Sequence, residues 1–139
     1  MSIAADYPTV SQARAHLKDV LDSVENGHTV TVSRDGFISA VLPAERLREY
    51  LFRMVQPRVL VTSEDGVVLA LMEGRPFVSD GASVDEALKD LILSLREYAE
   101  DWEDHLQGAP NHAQSWDLVQ LTKLSTDEQL RDWFAHGGE

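Results

Sequence analysis

Val10-Ser11-Gln12-Ala13-Arg14-Ala15-His16-Leu17, Leu21-Asp22-Ser23-Val24-Glu25-Asn26-Gly27, Val30-Thr31-Val32-Ser33-Arg34-Asp35-Gly36 and Ala40-Val41-Leu42-Pro43 follow one another in the first third of the chain. Their order decides the fold. Ser11 can cap a helix by accepting a free backbone N–H. Beyond it Ala13, Leu17, Val20, Leu21 and Val24 recur on one helical face. Asn26-Gly27 ends that helix, since both residues tolerate a left-handed backbone. Thr29 to Ser33 then alternates as a half-buried strand. Asp35-Gly36 is a strong signal for a tight hairpin turn, and Phe37 to Leu42 returns as the second arm.

Working outward, Asp6 to Val10 reads as a short strand before the helix. Pro43 suits a first helical turn, and Leu47, Tyr50, Leu51 and Met54 give the next apolar stripe. The order is β-α-β-β-α. Pro57 breaks the run, so the expected division is a module over residues 1–57 and a second domain over 58–139. In the second part, two strands flank Glu64-Asp65-Gly66, and a third follows Glu73-Gly74-Arg75-Pro76. Ser83 to Glu86 reads as a capping box opening the longest helix, with Val84, Ala87, Leu88, Leu91, Ile92, Leu95, Tyr98, Ala99 and Trp102 on one face. Gly108-Ala109-Pro110 stops it. Trp116 to Leu121 suggests a short helix or an adhesive segment, and Ser125 to Glu128 a second capping box before a last helix. The expected fold class is α+β: the β-α-β-β-α module, a small βββα unit and C-terminal helices.

The chain has 139 residues and a formal net charge of −12, unevenly distributed. Up to Arg58, seven basic residues balance seven acidic ones; beyond it five basic residues face seventeen acidic ones, so the whole excess lies there. Such asymmetry points to a part that can approach a polyanion and a part that can meet a basic partner, or simply to acidic helices that maintain solubility. No window is long and apolar enough to span a membrane. The first eight residues lack a basic region followed by a long apolar one, so a secretory signal is not expected and a cytoplasmic location is. With no cysteine, disulfides, thiolate metal sites and cysteine nucleophiles are excluded. The five histidines show no metal-ligand spacing, and no phosphate-binding loop or nucleophile elbow is present. Neither an enzyme nor a bound cofactor or metal is expected.

The four N-terminal segments resemble the prevent-host-death (Phd/YefM) antitoxin family over roughly residues 5 to 52. Residues 60 to 100 are faintly similar to the HicB antitoxin domain, a βββα unit. The first resemblance implies a homodimer whose N-terminal module binds operator DNA and represses transcription, and whose C-terminal segment neutralises a protein toxin. Carried over by position, Arg14 matches the basic residue of the family's helix motif and Arg34 the first basic residue of its hairpin turn. Ser11 and Gln12 add neutral donors, and Lys18 lies one turn after Arg14. The sequence departs from the family at Asp35 and Phe37, where a basic and a long polar residue are usual; an aspartate there repels phosphate. Arginine can fork to phosphate or guanine, although Arg14 and Lys18 also fit the solvated side of an amphipathic helix.

For the toxin, Tyr98, Asp101, Trp102, Trp116, Trp133 and Phe134 are the candidate contacts, because three tryptophans exceed what a small core needs and an acidic cluster adjoins them. The same carboxylates also suit a solvated helix face. The expected toxin is a basic protein, RelE-like or similar. The expected function is thus a type II antitoxin and autorepressor. The alternative is a stand-alone transcriptional regulator whose second domain senses another partner or ligand.

Overall fold

The structure, a computed structural model, describes residues 3–139; Met1 and Ser2, the start of the segment read as lacking a secretory signal, lie outside the described residues. Two of the three Asp-Gly pairs, Asp35-Gly36 and Asp65-Gly66, form two-residue hairpin turns. Asp35 and Gly36 have φ of 51° and 86°, and Asp65 and Gly66 of 52° and 79°. Two successive positive φ values match the right-handed twist of the flanking strands. The first turn joins β1 (Val30–Arg34) to β2 (Phe37–Val41) in a two-stranded antiparallel sheet. The second joins β3 (Val59–Glu64) to β4 (Val67–Met72), and β5 (Phe77–Gly81) completes a three-stranded antiparallel sheet in the order β3-β4-β5.

Six α-helices accompany the two sheets among the described residues, making the chain a mixed α+β protein. They are α1 (Val10–Ala15), α2 (Leu17–Glu25), α3 (Ala44–Met54), α4 (Val84–Asp101), α5 (Trp116–Leu124) and α6 (Asp127–His136). The chain divides into two compact units, Met1–Leu47 and Arg48–Glu139. Pro57 follows the end of α3, as expected, but the division falls earlier, inside that helix. The reason lies in the second unit: the Trp133 indole N–H donates to the Val55 carbonyl at 2.8 Å, and Gly138 N–H to the Phe52 carbonyl at 2.9 Å.

In the first unit the expected single helix is two. His16, with φ −119° and ψ 27°, interrupts it, and the ring stacks near Tyr7 at 6.1 Å. Thr9, not Ser11, is the N-cap: its hydroxyl accepts from the Gln12 N–H. The strand expected over Asp6 to Val10 is reduced to one parallel bridge, Tyr7 with Val32, because α1 begins at Val10. Among the described residues of this unit only Val20, Val24 and Val30 are buried, with Tyr7 and Val41 packed against them. Leu17 and Leu21, expected on the buried face, are 55% and 48% exposed. A unit this small has too little interior to cover both sides of α2.

The second unit is built on α4, which lies across β4 and β5 and receives α5 and α6. Ala87, Leu91, Leu95 and Ala99 form its buried stripe. Ser83 caps it, accepting from the Glu86 N–H, while the Glu86 carboxylate accepts from the Ala82 N–H rather than from the cap itself. Gly81 permits a close approach: a Cβ there would lie 2.6 Å from the Ala87 amide nitrogen. After Asp101 the helix widens into a π turn, Trp102–Leu106. The capping box of α6 is set one residue later than its sequence suggested, with Thr126 and Gln129 exchanging side-chain and backbone bonds.

Trp133 has no exposed surface. Trp133→Phe removes its hydrogen bond and leaves the buried Val55 carbonyl unpaired, so it should cost about 2 kcal/mol in urea unfolding. Trp116→Phe, at a half-exposed position, should stay within about 0.5 kcal/mol.

Candidate nucleic-acid and partner surfaces

Asp6 and Thr31 tie the N-terminal segment to β1. The Asp6 carboxylate accepts from the Thr31 backbone N–H at 2.9 Å, and the Asp6 N–H donates to the Thr31 hydroxyl at 2.9 Å. Tyr7 N–H donates to the Thr31 carbonyl and Ser33 N–H to the Tyr7 carbonyl. With the chain pinned there, α1 starts beside the β1–β2 turn. Pro8, Thr9, Val10, Ser11, Ser33, Arg34 and Asp35 consequently line one shallow pocket of about 280 Å³.

Of the five expected DNA contacts, Ser11 and Arg34 therefore share a surface. Gln12 is exposed on the first turn of α1, but its side chain faces the Thr9 hydroxyl at 3.3 Å. Arg14 is exposed in the last turn, and neither it nor Arg34 takes part in an ion pair among the described residues. Lys18 lies beyond the His16 break and pairs with Asp22 at 2.7 Å. Phe37, opposite Arg34 in the hairpin register, is 75% exposed.

The six expected toxin contacts are not gathered in one place. Trp102 and Trp133 are core residues; their indole N–H groups donate to the His112 and Val55 carbonyls. The surplus of tryptophan is thus largely absorbed by the interior. Tyr98 is half-buried, edge-on to Phe77, with its hydroxyl 2.8 Å from His112 Nδ1. Phe134 is half-buried against Trp133. Asp101 and Trp116 remain exposed. In the acidic cluster, Glu103 pairs with Lys123 at 3.1 Å and Asp104 with His105 at 3.2 Å.

A second cavity of about 440 Å³ passes by Phe77 and Tyr98 to Arg75, Asn111, His112 and Asp117. Sequence reading missed Arg75 and His112 here, because the residues converge from a strand turn and a post-helical loop with no shared spacing. Arg75 donates to the Gln56 and Pro57 carbonyls. Burial lowers its pKa, as does Arg58 nearby, while Asp117 acts in the opposite sense. Among the described residues no group of three or more histidines and carboxylates is placed to hold a metal ion, and no helix is long and apolar enough to cross a membrane.

No protein-family model matches the chain, and no curated protein matches it. Among solved structures, the chain is similar to a crystal structure from Syntrophomonas wolfei subsp. wolfei, described as an antitoxin part of a candidate toxin/antitoxin system. The TM-score is 0.77 over 92% of this chain and 95% of that one, at 19% sequence identity. At that identity the likeness establishes the shared fold.

The cap assignment has a direct check. Thr9→Ala should cost about 1 kcal/mol and speed amide exchange in α1, whereas Ser11→Ala should change neither.

Proposed function

We propose that this chain is the antitoxin of a type II toxin–antitoxin system, a dimer that neutralises a protein toxin and represses its own operon. The observation that carries the reading is the shared fold with a solved chain described as an antitoxin, which runs through both units. The N-terminal resemblance to the Phd/YefM family agrees with it, and the likeness of the sheet-and-helix part to HicB is consistent in element order.

The first unit supplies the DNA-facing surface in this reading. Ser11 and Arg34 line one pocket, Arg14 is exposed nearby in sequence, and both arginines are without ion-pair partners among the described residues. Dimerisation uses the uncovered Leu17 and Leu21 on α2. It doubles the arginines across two half-sites related by the two-fold axis, as a palindrome requires. The second unit meets the toxin through its acidic surface, with Asp101 and Trp116 as the accessible contacts and the half-buried Tyr98 and Phe134 as further ones. The chemistry fits a basic toxin. No step requires catalysis or a cofactor.

One feature favours the second reading, a stand-alone regulator. The cavity beside Tyr98, His112 and Arg75 has the volume of a small-molecule site and a mixed aromatic and polar lining. Co-expression with the neighbouring gene separates the two. Co-purification of a growth-inhibiting protein supports the antitoxin, and its absence supports the regulator.

Titration against the gene's own upstream DNA tests the DNA-binding part. Arg14→Ala should weaken binding by roughly 1–3 kcal/mol if it meets a base edge, or lower the salt slope by about one if it meets a phosphate. Asp35→Arg should tighten binding and raise its salt sensitivity. Unchanged affinity in both variants would refute the assignment of Arg14 and Arg34.

A further inference from the structure

β3 is an edge strand with one free side. Its register with β4 fixes which backbone groups face outward. Glu73 N–H donates to the Arg58 carbonyl at 2.8 Å, just before the first ladder pair, Val59 with Met72. Antiparallel ladders alternate hydrogen-bonded and non-hydrogen-bonded pairs. Residues 60, 62 and 64 therefore bond inward to β4, while Val59, Val61 and Ser63 point their N–H and C=O groups away from the sheet. None of these three residues donates or accepts a hydrogen bond elsewhere in the described chain.

Natural sheets blunt such an edge with lysine, proline, a bulge or a covering element. Among the described residues, β3 has none of these. Its sequence is Val-Leu-Val-Thr-Ser-Glu, its register with β4 is unbroken, and its last five residues are exposed. Leu60 and Val61 are 47% and 43% exposed. On the face away from α4, Leu60 aligns with Leu71 and then Val78 across the sheet, forming an apolar row that also lacks a cover at both ends.

We propose that β3 pairs antiparallel with the β3 of a second copy of this chain, about a two-fold axis through Val61, fusing two three-stranded sheets into one of six strands. Symmetry and chemistry select this occupant and this register together. With the axis at Val61, each outward-facing residue meets another: Val61 opposes Val61 of the second copy, and Val59 opposes Ser63. About six main-chain hydrogen bonds form. An axis at Val59 would bring in Pro57, which has no N–H, and an axis at Ser63 would place Asp65 of the tight turn in the ladder. The chosen register also sets Arg58, just before the strand, against Glu64 of the second copy at both ends. Neither residue has an ion-pair partner within the described chain.

The chain has no native cysteine, so single cysteines read the register directly. A hydrogen-bonded antiparallel pair sets its Cα atoms about 5.5 Å apart, within disulfide range. Under mild oxidation at micromolar concentration the full-length Val61→Cys variant should become mostly disulfide-linked dimer. Ser63→Cys should remain reduced, because its two copies lie four residues apart along the strands, about 13 Å. Val61→Pro removes an N–H that the hairpin does not use. It should weaken the contact at least about tenfold by sedimentation equilibrium, with circular dichroism unchanged. This contact is separate from the α2 surface, so Leu21→Glu should leave the Val61→Cys cross-link intact. A Val61→Cys variant that stays reduced, or cross-links no faster than Ser63→Cys, overturns the proposal. Protection of the Val61→Cys thiol only in the presence of a co-expressed protein also overturns it, by assigning the edge to that protein.

Discussion

Between the end of β5 and the first turn of α4 there is no room for one methyl group. The missing Cβ of Gly81 lets the backbone of Glu86 and Ala87 come down onto the strand. Everything later in the second unit depends on that approach. With its N-terminus held there by Ser83 and Glu86, α4 lies along β4 and β5 and presents its opposite flank to α5 and α6. Arg96, on α4, then secures the turn between those helices. Its guanidinium donates to the Thr122 and Ser125 carbonyls and to the Asp127 carboxylate.

The same staple shows how the charge imbalance is deployed. All five basic residues beyond Arg58 are spent inside the second unit. Arg96 holds the α5–α6 turn, Arg75 holds the chain after α3, Lys123 meets Glu103, and Lys89 and Arg131 both reach Asp85. The hydrogen bond from Arg131, followed by that from Lys89, keeps the Asp85 carboxyl below its usual pKa. Glu86, Asp104 and Asp117 also have partners within the unit, while carboxylates such as Asp101 stay exposed. In the first unit Arg14 and Arg34 stay exposed and unspent, so the contrast between the units is sharper at their surfaces than the sequence count implies.

Periodicity and turn chemistry made much of this legible. Asp35-Gly36 and Asp65-Gly66 announce their hairpins because few other residue pairs accept two positive φ values, and the long stripe from Ala87 to Ala99 announces α4 because eighteen residues average out local accidents. What failed depended on neighbours distant in sequence. His16 breaks a helix whose spacing is continuous, and it does so beside Tyr7. Thr9 takes the cap because Asp6 and Thr31 hold the segment before it. Trp102 and Trp133 looked like surplus surface, yet each finds a carbonyl at 2.7–2.8 Å in the interior. Of the candidate site, the sequence identified Arg34 and Ser11 as residue types, and the structure brought them to one pocket. Nothing in the spacing could join Arg75 to His112.

The unequal placement of the three indoles has an optical consequence. Two are sealed and hydrogen-bonded, while Trp116 alone stands half open to water on the acidic unit. A collisional quencher in solution reaches that ring and spares the others. The chain therefore carries an intrinsic fluorophore on the surface proposed to meet a partner, and light emitted from one residue can report what approaches it without any added dye.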